Sequence, residues 1–215
     1  MVCSGHDSRR IALTGGPGAG KTAVLELARR LLCEHVYVLQ EAAGIVFRGG
    51  FPRGTQFALR RADQRAIFYV QRELEATTEA DDFAVVLCDR GTVDGGAYWP
   101  GPDDLWSSVG TTLAEQIARY DAVIHLRTPT AGHGYDRSNP LRIETATEAR
   151  AIDDAIARLW QNHPHRYEVP AETDFMTKAG HVIGLLRAEL PECCQAHLPS
   201  LGAFVATNNR SNAGL

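Results

Sequence analysis

Long apolar runs are missing from this sequence. None approaches the ~20 residues that a membrane span needs, so no transmembrane segment is expected. The opening residues, Met1-Val2-Cys3-Ser4-Gly5-His6-Asp7, lack the apolar core of a signal peptide. An excess of positive charge is missing too. The 22 basic side chains face 26 acidic ones, which leaves no basic footprint for a nucleic-acid partner. Cysteine is sparse and odd in number: Cys3, Cys33, Cys88, Cys193 and Cys194 follow no disulfide-framework spacing. Their pattern fits reduced thiols in a cytoplasmic protein. The adjacent pair Cys193-Cys194 lacks C-x-x-C geometry and reads as two thiols near a helix end rather than a metal or redox pair. No internal repeat is visible. At 215 residues, one α/β domain with a proper core is the simplest arrangement.

What the sequence does contain is Gly15-Gly16-Pro17-Gly18-Ala19-Gly20-Lys21-Thr22, a full G-x-x-x-x-G-K-[ST] match running into Ala23. The apolar run Arg10-Ile11-Ala12-Leu13-Thr14 precedes it, and Ala23 to Leu32 follows as a helix without Gly or Pro. Glycines let backbone N–H groups turn inward around an anion, and a helix N-terminus adds its positive end. In that arrangement Lys21 reaches the β- and γ-phosphates of a nucleoside triphosphate and the Thr22 hydroxyl binds Mg²⁺. The plainer reading, a Gly-rich turn that binds nothing, does not account for strand, motif and helix in register.

Strand-like runs then alternate with helical patterns, as in a parallel sheet covered on both faces. Val36 to Glu41 is a buried strand ending in a carboxylate, followed by one or two helical turns over residues 42–47 and a basic loop over 48–54. Thr55 to Ala80 reads as one long helix with an apolar stripe of Ala58, Ala62, Ala66, Val70 and Leu74. A second stripe, Phe57, Arg61, Gln64, Phe68 and Gln71, interleaves amides and an arginine with aromatics. It fits either a cleft for a flat polar ligand or an ordinary solvated face. Phe83 to Asp89 is the clearest buried strand, and four apolar residues running into Asp89 have the form of a Walker B strand. A Pro- and Asp-rich insertion (101–108), a short helix (111–119) and a fourth strand (121–127) follow. Residues of about 128–147 are Gly-rich and carry Arg137 and Arg142, the character of a lid, or else of a solvated loop. A helix over 147–162 leads to the last strand, within His163 to Pro170. The two histidines beside Pro164 lack a third metal ligand and read as polar residues leading into that strand. Glu172 to Leu190 closes the fold. The domain is expected to span 10–192, between a flexible segment 1–9 and a disordered tail over 193–215.

Glu41, Asp89 and Arg127 all lie at strand ends beside the phosphate loop, where a parallel sheet gathers its ligands. Two carboxylates there divide the labour: Asp89 toward Mg²⁺, Glu41 toward an acceptor hydroxyl as general base. The alternative for Glu41 is an acid capping the next helix. Arg90, Arg137 and Arg142 are placed to neutralise charge on a transferring phosphoryl group. Arg61, Gln64, Phe68, Asp94 and Tyr98, with Glu41, are the candidate acceptor contacts.

The chain resembles the P-loop domain shared by NadR-type nicotinamide riboside kinases and TRPL-translocation-defect ATPases. The matching residues are Leu13 to Thr22, Gln40-Glu41-Ala42-Ala43, Asp89-Arg90-Gly91 with Asp94 and Ala97-Tyr98, Arg142 with Glu144, and Lys178. The resemblance covers residues 10–190 and implies a kinase-like, three-layer α/β P-loop NTPase fold. It implies five parallel strands in the order 2-3-1-4-5, and binding of Mg-ATP or Mg-GTP. The chain carries no adenylyltransferase module, so a bifunctional NadR-type protein is not expected. Residues 131–140 and 98–104, where an acceptor would be chosen, look particular to this sequence.

Three functions compete. A small-molecule kinase would move the γ-phosphate of ATP, or GTP, to a small, nucleoside-like acceptor. A nucleotide-dependent regulatory module would lack an acceptor; a standard GTPase is disfavoured because Thr177-Lys178-Ala179-Gly180 lacks the aspartate of N-K-x-D. A remodelling ATPase would need a helical lid domain that this length leaves no room for. Oligomeric state is open, a homodimer included.

Overall fold

The computed structural model describes residues 5–129, 145–171 and 174–195. Five strands, β1 (Arg9–Thr14), β2 (Val36–Leu39), β3 (Val85–Asp89), β4 (Ala122–Leu126) and β5 (Arg166–Val169), form one parallel sheet. Their order is β2-β3-β1-β4-β5, as the sequence resemblance implied. Eight helices accompany them among the described residues: α1 (Lys21–Leu31), α2 (Ala42–Arg48), α3 (Phe57–Ala76), α4 (Leu105–Ser108), α5 (Leu113–Ile117), α6 (Ala146–Leu159), α7 (Phe175–Ala188) and α8 (Glu192–Gln195). A 3₁₀ turn covers Thr92–Ala97.

Alternation along the strands builds two cores. Ile11, Leu13, Leu87 and Ile124 pack on one face with Val24 and Leu25 of α1 and Ile183 and Leu186 of α7. Ala12, Val86, Cys88 and Val123 pack on the other with Trp106, Tyr120, Ile156 and Trp160. Each fully buried Leu or Ile contributes roughly 1.5–3 kcal/mol of transfer free energy. Helix starts follow local chemistry. Thr112/Glu115 and Thr145/Glu148 form capping boxes at α5 and α6. Asp174 accepts from the Met176 and Thr177 amides at α7.

One expectation fails on α3. The alanine-rich stripe is not the buried face: Ala58 is exposed, Ala62, Ala66 and Val70 are half-buried, and Leu74, also half-buried, packs at the edge of the second core. The face that sinks carries Asp63, Phe68, Gln71 and Glu75. Glu75, with no exposed surface, accepts from Gln71 Nε2 (2.9 Å), from the Tyr120 hydroxyl (2.6 Å) and from Arg119. Mutual satisfaction makes polar burial tolerable, so hydrophobic periodicity points the wrong way here.

Both ends of the domain have specific partners. The Gly5 and His6 amides donate to the Asp82 carboxylate at 3.0 and 2.8 Å, and Arg9 pairs with Glu189 at 2.5 Å. Residues 193–195, assigned from composition to a disordered tail, complete α8, and Cys194 is fully buried. The two histidines beside Pro164 are structural: His163 Nε2 bonds the Tyr120 carbonyl at 2.8 Å, and His165 Nδ1 bonds the Asp121 carbonyl at 3.2 Å.

Candidate active site

The phosphate loop leaves β1, the strand flanked by β3 and β4, and opens at the carboxyl ends of all three. Its glycines are required by contact as well as by φ. Gly15 sits at φ 134°, and a Cβ there would lie 2.1 Å from the Leu126 carbonyl oxygen. Gly18 and Gly20 also have positive φ, at 79° and 92°. Gly20 caps α1, so the N-terminal amides of that helix face the loop without a competing side-chain cap. Thr22 and Ala23 stand exposed on that first turn, with the Thr22 hydroxyl bordering the cleft. Pro17 and Ala19 are buried and hold the loop's outer wall. Glycine cradle, helix N-terminus, lysine and hydroxyl together fit a triphosphate and its Mg²⁺.

Lys21 Nζ donates to the Gly15 and Gly16 carbonyls at 2.8 and 2.9 Å. Burial, reinforced by the nearby Arg90 charge, lowers its pKa to about 7 against the pull of Asp89, Glu41 and Asp94. A phosphate placed there would reverse that balance by supplying negative charge. Asp89, ending β3, is pushed up to about 6, by burial first and then by repulsion from Glu41. Glu41 moves the other way. Burial raises it, but the Arg90 charge and hydrogen bond outweigh burial and hold it below the usual value. Glu41 occupies the capping position of α2 without making a capping bond; its carboxylate takes Arg90 Nε at 2.9 Å instead. Arg90 also donates to the Gly15 carbonyl at 3.1 Å and holds φ 74°. A left-handed arginine costs roughly 1–2 kcal/mol, which its partners offset.

These groups border one cleft of about 1570 Å³. It runs from Pro17 to Ala23 past Glu41, Asp89, Arg90 and Tyr98 to Gln64, Phe68 and Gln71 of α3. The polar stripe of α3 therefore splits. Gln64, Phe68 and Gln71 reach the cleft, together with Arg60 and Asp63, which sequence reasoning did not single out. Arg61 instead grips the loop before α4, donating to the Pro100 carbonyl at 3.2 Å, pairing with Asp103 and covering the Phe57 ring at 4.3 Å. Asp94 borders the cleft but is committed elsewhere: it accepts from Thr14 Oγ1 at 2.5 Å and Trp160 Nε1 at 2.7 Å, with Arg90 at 3.5 Å. Arg137 and Arg142, with residues 130–144 of the lid assignment, lie outside the described residues; of its ends, Thr128 is buried behind the loop and Thr145 caps α6.

Two further groups position the loop: Asp153, which sequence reasoning missed, and Lys178, which entered there only through the family resemblance. Asp153, fully buried on α6, accepts from the Gly16 amide (2.8 Å), the Thr128 amide (3.2 Å) and His125 Nε2 (2.8 Å), with Arg127 Nε 3.3 Å away. Arg127 pairs also with Asp154 and, at 3.6 Å, with Glu168, so its charge is spent behind the loop. The signal was an acid inside an otherwise apolar stripe, Ala149-Asp153-Ile156-Trp160. The second is Lys178, whose Nζ donates to the Ala19 carbonyl at 3.0 Å and the Arg127 carbonyl at 2.7 Å. It ties the loop to the end of β4. Its signal was scarcity: Lys21 and Lys178 are the only lysines in the chain, and both are buried at this loop.

A family described as an AAA domain matches residues 10–178, well over half of the sequence and every residue that lines this cleft. The chain belongs to this AAA-domain family. No curated protein matches the sequence of this AAA-domain protein. Among solved structures it is similar to deoxyadenosine kinase from M. mycoides with bound dATP, at a TM-score of 0.57 and 15% identity. The match covers 83% of this chain and 98% of that one, and at this identity the likeness is one of fold. The AAA-domain protein thus has a P-loop NTPase fold with a kinase as structural neighbour. Among the described residues no helix is long and apolar enough to cross a membrane.

Proposed function

We propose that the protein is an ATP-dependent phosphotransferase that moves the γ-phosphate of Mg-ATP to a hydroxyl of a small, nucleoside-like acceptor. One observation carries the reading. The cleft does not end at the phosphate loop but continues past Glu41 to a stretch lined by Asp63, Gln64, Phe68 and Gln71. A hydrolase has no need of that extension, whereas an acceptor with a flat polar ring would use the Gln64 amide and the Phe68 face. The structural kinship with a deoxyadenosine kinase, and the resemblance to NadR-type kinases, support the same class.

The loop amides and the α1 N-terminus would hold the donor phosphates. Lys21 would exchange the Gly15 and Gly16 carbonyls for the β- and γ-phosphate oxygens, regaining its full charge. Thr22 and Asp89 would hold Mg²⁺, which would supply positive charge to screen the donor phosphates. Glu41, steadied by Arg90, takes the acceptor hydroxyl proton as the new O–P bond forms and the β–γ bond breaks, releasing ADP. The depressed pKa makes Glu41 a weak base. That suffices, because a loose phosphoryl-transfer transition state leaves most of the proton transfer until late. Arg90, with Arg137 and Arg142, would balance charge on the moving group.

The test is to measure nucleotide turnover, with ATP and with GTP, against a panel of nucleosides, vitamins and hydroxylated antibiotics. The reading stands if one acceptor both stimulates turnover and gains a phosphate by mass spectrometry. Slow turnover indifferent to every acceptor would point instead to a nucleotide-binding regulatory module.

A further inference from the structure

At the amino end of the sheet, opposite the phosphate loop, three distant segments meet. His6 lies three residues before β1, His35 immediately before β2, and Cys193 and Cys194 lie in α8. His6 Nε2 is 3.6 Å from the Cys193 sulfur and 3.7 Å from the Cys194 sulfur; His35 Nδ1 is 3.7 Å from the Cys194 sulfur. The ligand atoms of His6, His35 and Cys194 all lie within 4.8 Å of one another. Cys194 is fully buried, the His6 imidazole is nearly so, and His35 is half-buried.

From these residues we propose a structural zinc site with ligands His6, His35, Cys193 and Cys194. Zinc in protein sites is tetrahedral, with bonds of about 2.3 Å to sulfur and 2.05 Å to nitrogen. Those lengths put sulfur and nitrogen about 3.6 Å apart along a tetrahedral edge. The three sulfur–nitrogen separations, 3.6, 3.7 and 3.7 Å, have that spacing. A mixed thiolate and imidazole set selects zinc over the oxygen-seeking Mg²⁺ and Ca²⁺. The second contact of His6 supplies independent support. Its Nδ1 lies 3.2 Å from the Asp82 carbonyl and 3.3 Å from the Asp82 carboxylate. That contact fixes the ring tautomer and turns Nε2 toward the sulfurs, as the outer partner of a metal-bound histidine does. The Gly5 and His6 amides also bind Asp82, so the ligand is held in place before any ion arrives. Cys33 lies beside the Cys194 sulfur as a spare thiol. The ion would clip residues 188 positions apart, His6 and Cys194, closing nearly the whole chain into a loop. It would act on stability and leave the chemistry at the far end of the sheet untouched.

The experiment takes the full chain, kept reduced and metal-free, adds excess zinc, removes unbound ion by gel filtration and measures metal content. Cobalt in place of zinc reads thiolate coordination through its sulfur-to-metal charge-transfer absorption. The expected result is one zinc per chain, a cobalt–thiolate band, and a fall in melting temperature on chelation. His6→Ala and Cys194→Ala should both lose the zinc and the chelator sensitivity; His165→Ala should keep both. His6 precedes the first strand, so its variant remains informative should Cys194→Ala fail to fold. Zinc that washes out of the wild-type chain would overturn the proposal. So would zinc retained by His6→Ala, or a disulfide joining Cys33 or Cys193 to Cys194 in the protein as purified from the cell.

Discussion

Asp153→Asn isolates the group that holds the phosphate loop from behind. In the wild type Oδ1 accepts from the Gly16 amide and His125 Nε2, while Oδ2 accepts from the Thr128 amide and faces Arg127. Asparagine preserves the shape but turns one of those oxygens into an NH₂ group facing donors. His125 can shift its proton, because its Nδ1 has no partner among the described residues. The backbone amides have no such freedom. Each buried donor left unsatisfied costs about 1–3 kcal/mol, so the variant should lose about 2–4 kcal/mol of stability. If the amide turns toward Gly16, Mg-ATP binding should weaken about tenfold, the equivalent of one backbone hydrogen bond. Burial alone would raise the Asp153 pKa, but the His125 and Gly16 hydrogen bonds more than offset it, and the folded value is lowered. Its stabilisation is therefore present above the ordinary carboxylate range and disappears as pH falls through the depressed folded value. The variant should lack that acid limb. Urea unfolding across pH, with nucleotide titration at neutral pH, reads both effects. A stability loss under about 1 kcal/mol with unchanged affinity would refute the assignment.

The remaining predictions concern the loop itself. Gly15→Ala places a Cβ against the backbone carbonyl of Leu126 at positive φ, where no rotamer relieves the clash, and should cost about 2–4 kcal/mol in urea unfolding. Lys178→Met strands the Ala19 and Arg127 carbonyls and should cost about 2–4 kcal/mol in the same assay while weakening nucleotide binding. Free Lys21 titrates near pH 7, so nucleotide binding should take up close to one proton at pH 8 and almost none at pH 6, read by calorimetry in buffers of different ionisation enthalpy. Between pH 7 and the ordinary lysine value the unfolded chain binds more protons than the folded one, so the free protein should gain stability as pH rises through that window.

The sheet was legible because four of its five strands are short apolar runs closed by polar residues, and the phosphate loop because only glycine permits its backbone. Glu41, Asp89 and Arg90 were legible for the same topological reason: strand ends in a parallel sheet converge. What misled was burial of polar groups. The interior face of α3 is Asp63, Gln71 and Glu75, and Asp153 and His125 sit fully buried on α6 and β4. Their solvation is replaced by partners far away in sequence, which no local pattern reveals. Arg61 shows the same limit, since stripe spacing cannot distinguish a cleft-facing arginine from one clamped on Pro100 and Asp103. Cys193-Cys194 gained meaning only when α8 brought them to His6 and His35.

The claim beneath the functional reading is that Glu41 serves the acceptor while the loop serves the donor. Once an acceptor is in hand, Glu41→Gln should bind Mg-ATP within about twofold of the wild type and lose at least about 10²-fold in transfer rate, the range for removing a general base. Transfer at the wild-type rate, or an equal loss of nucleotide affinity, would contradict it.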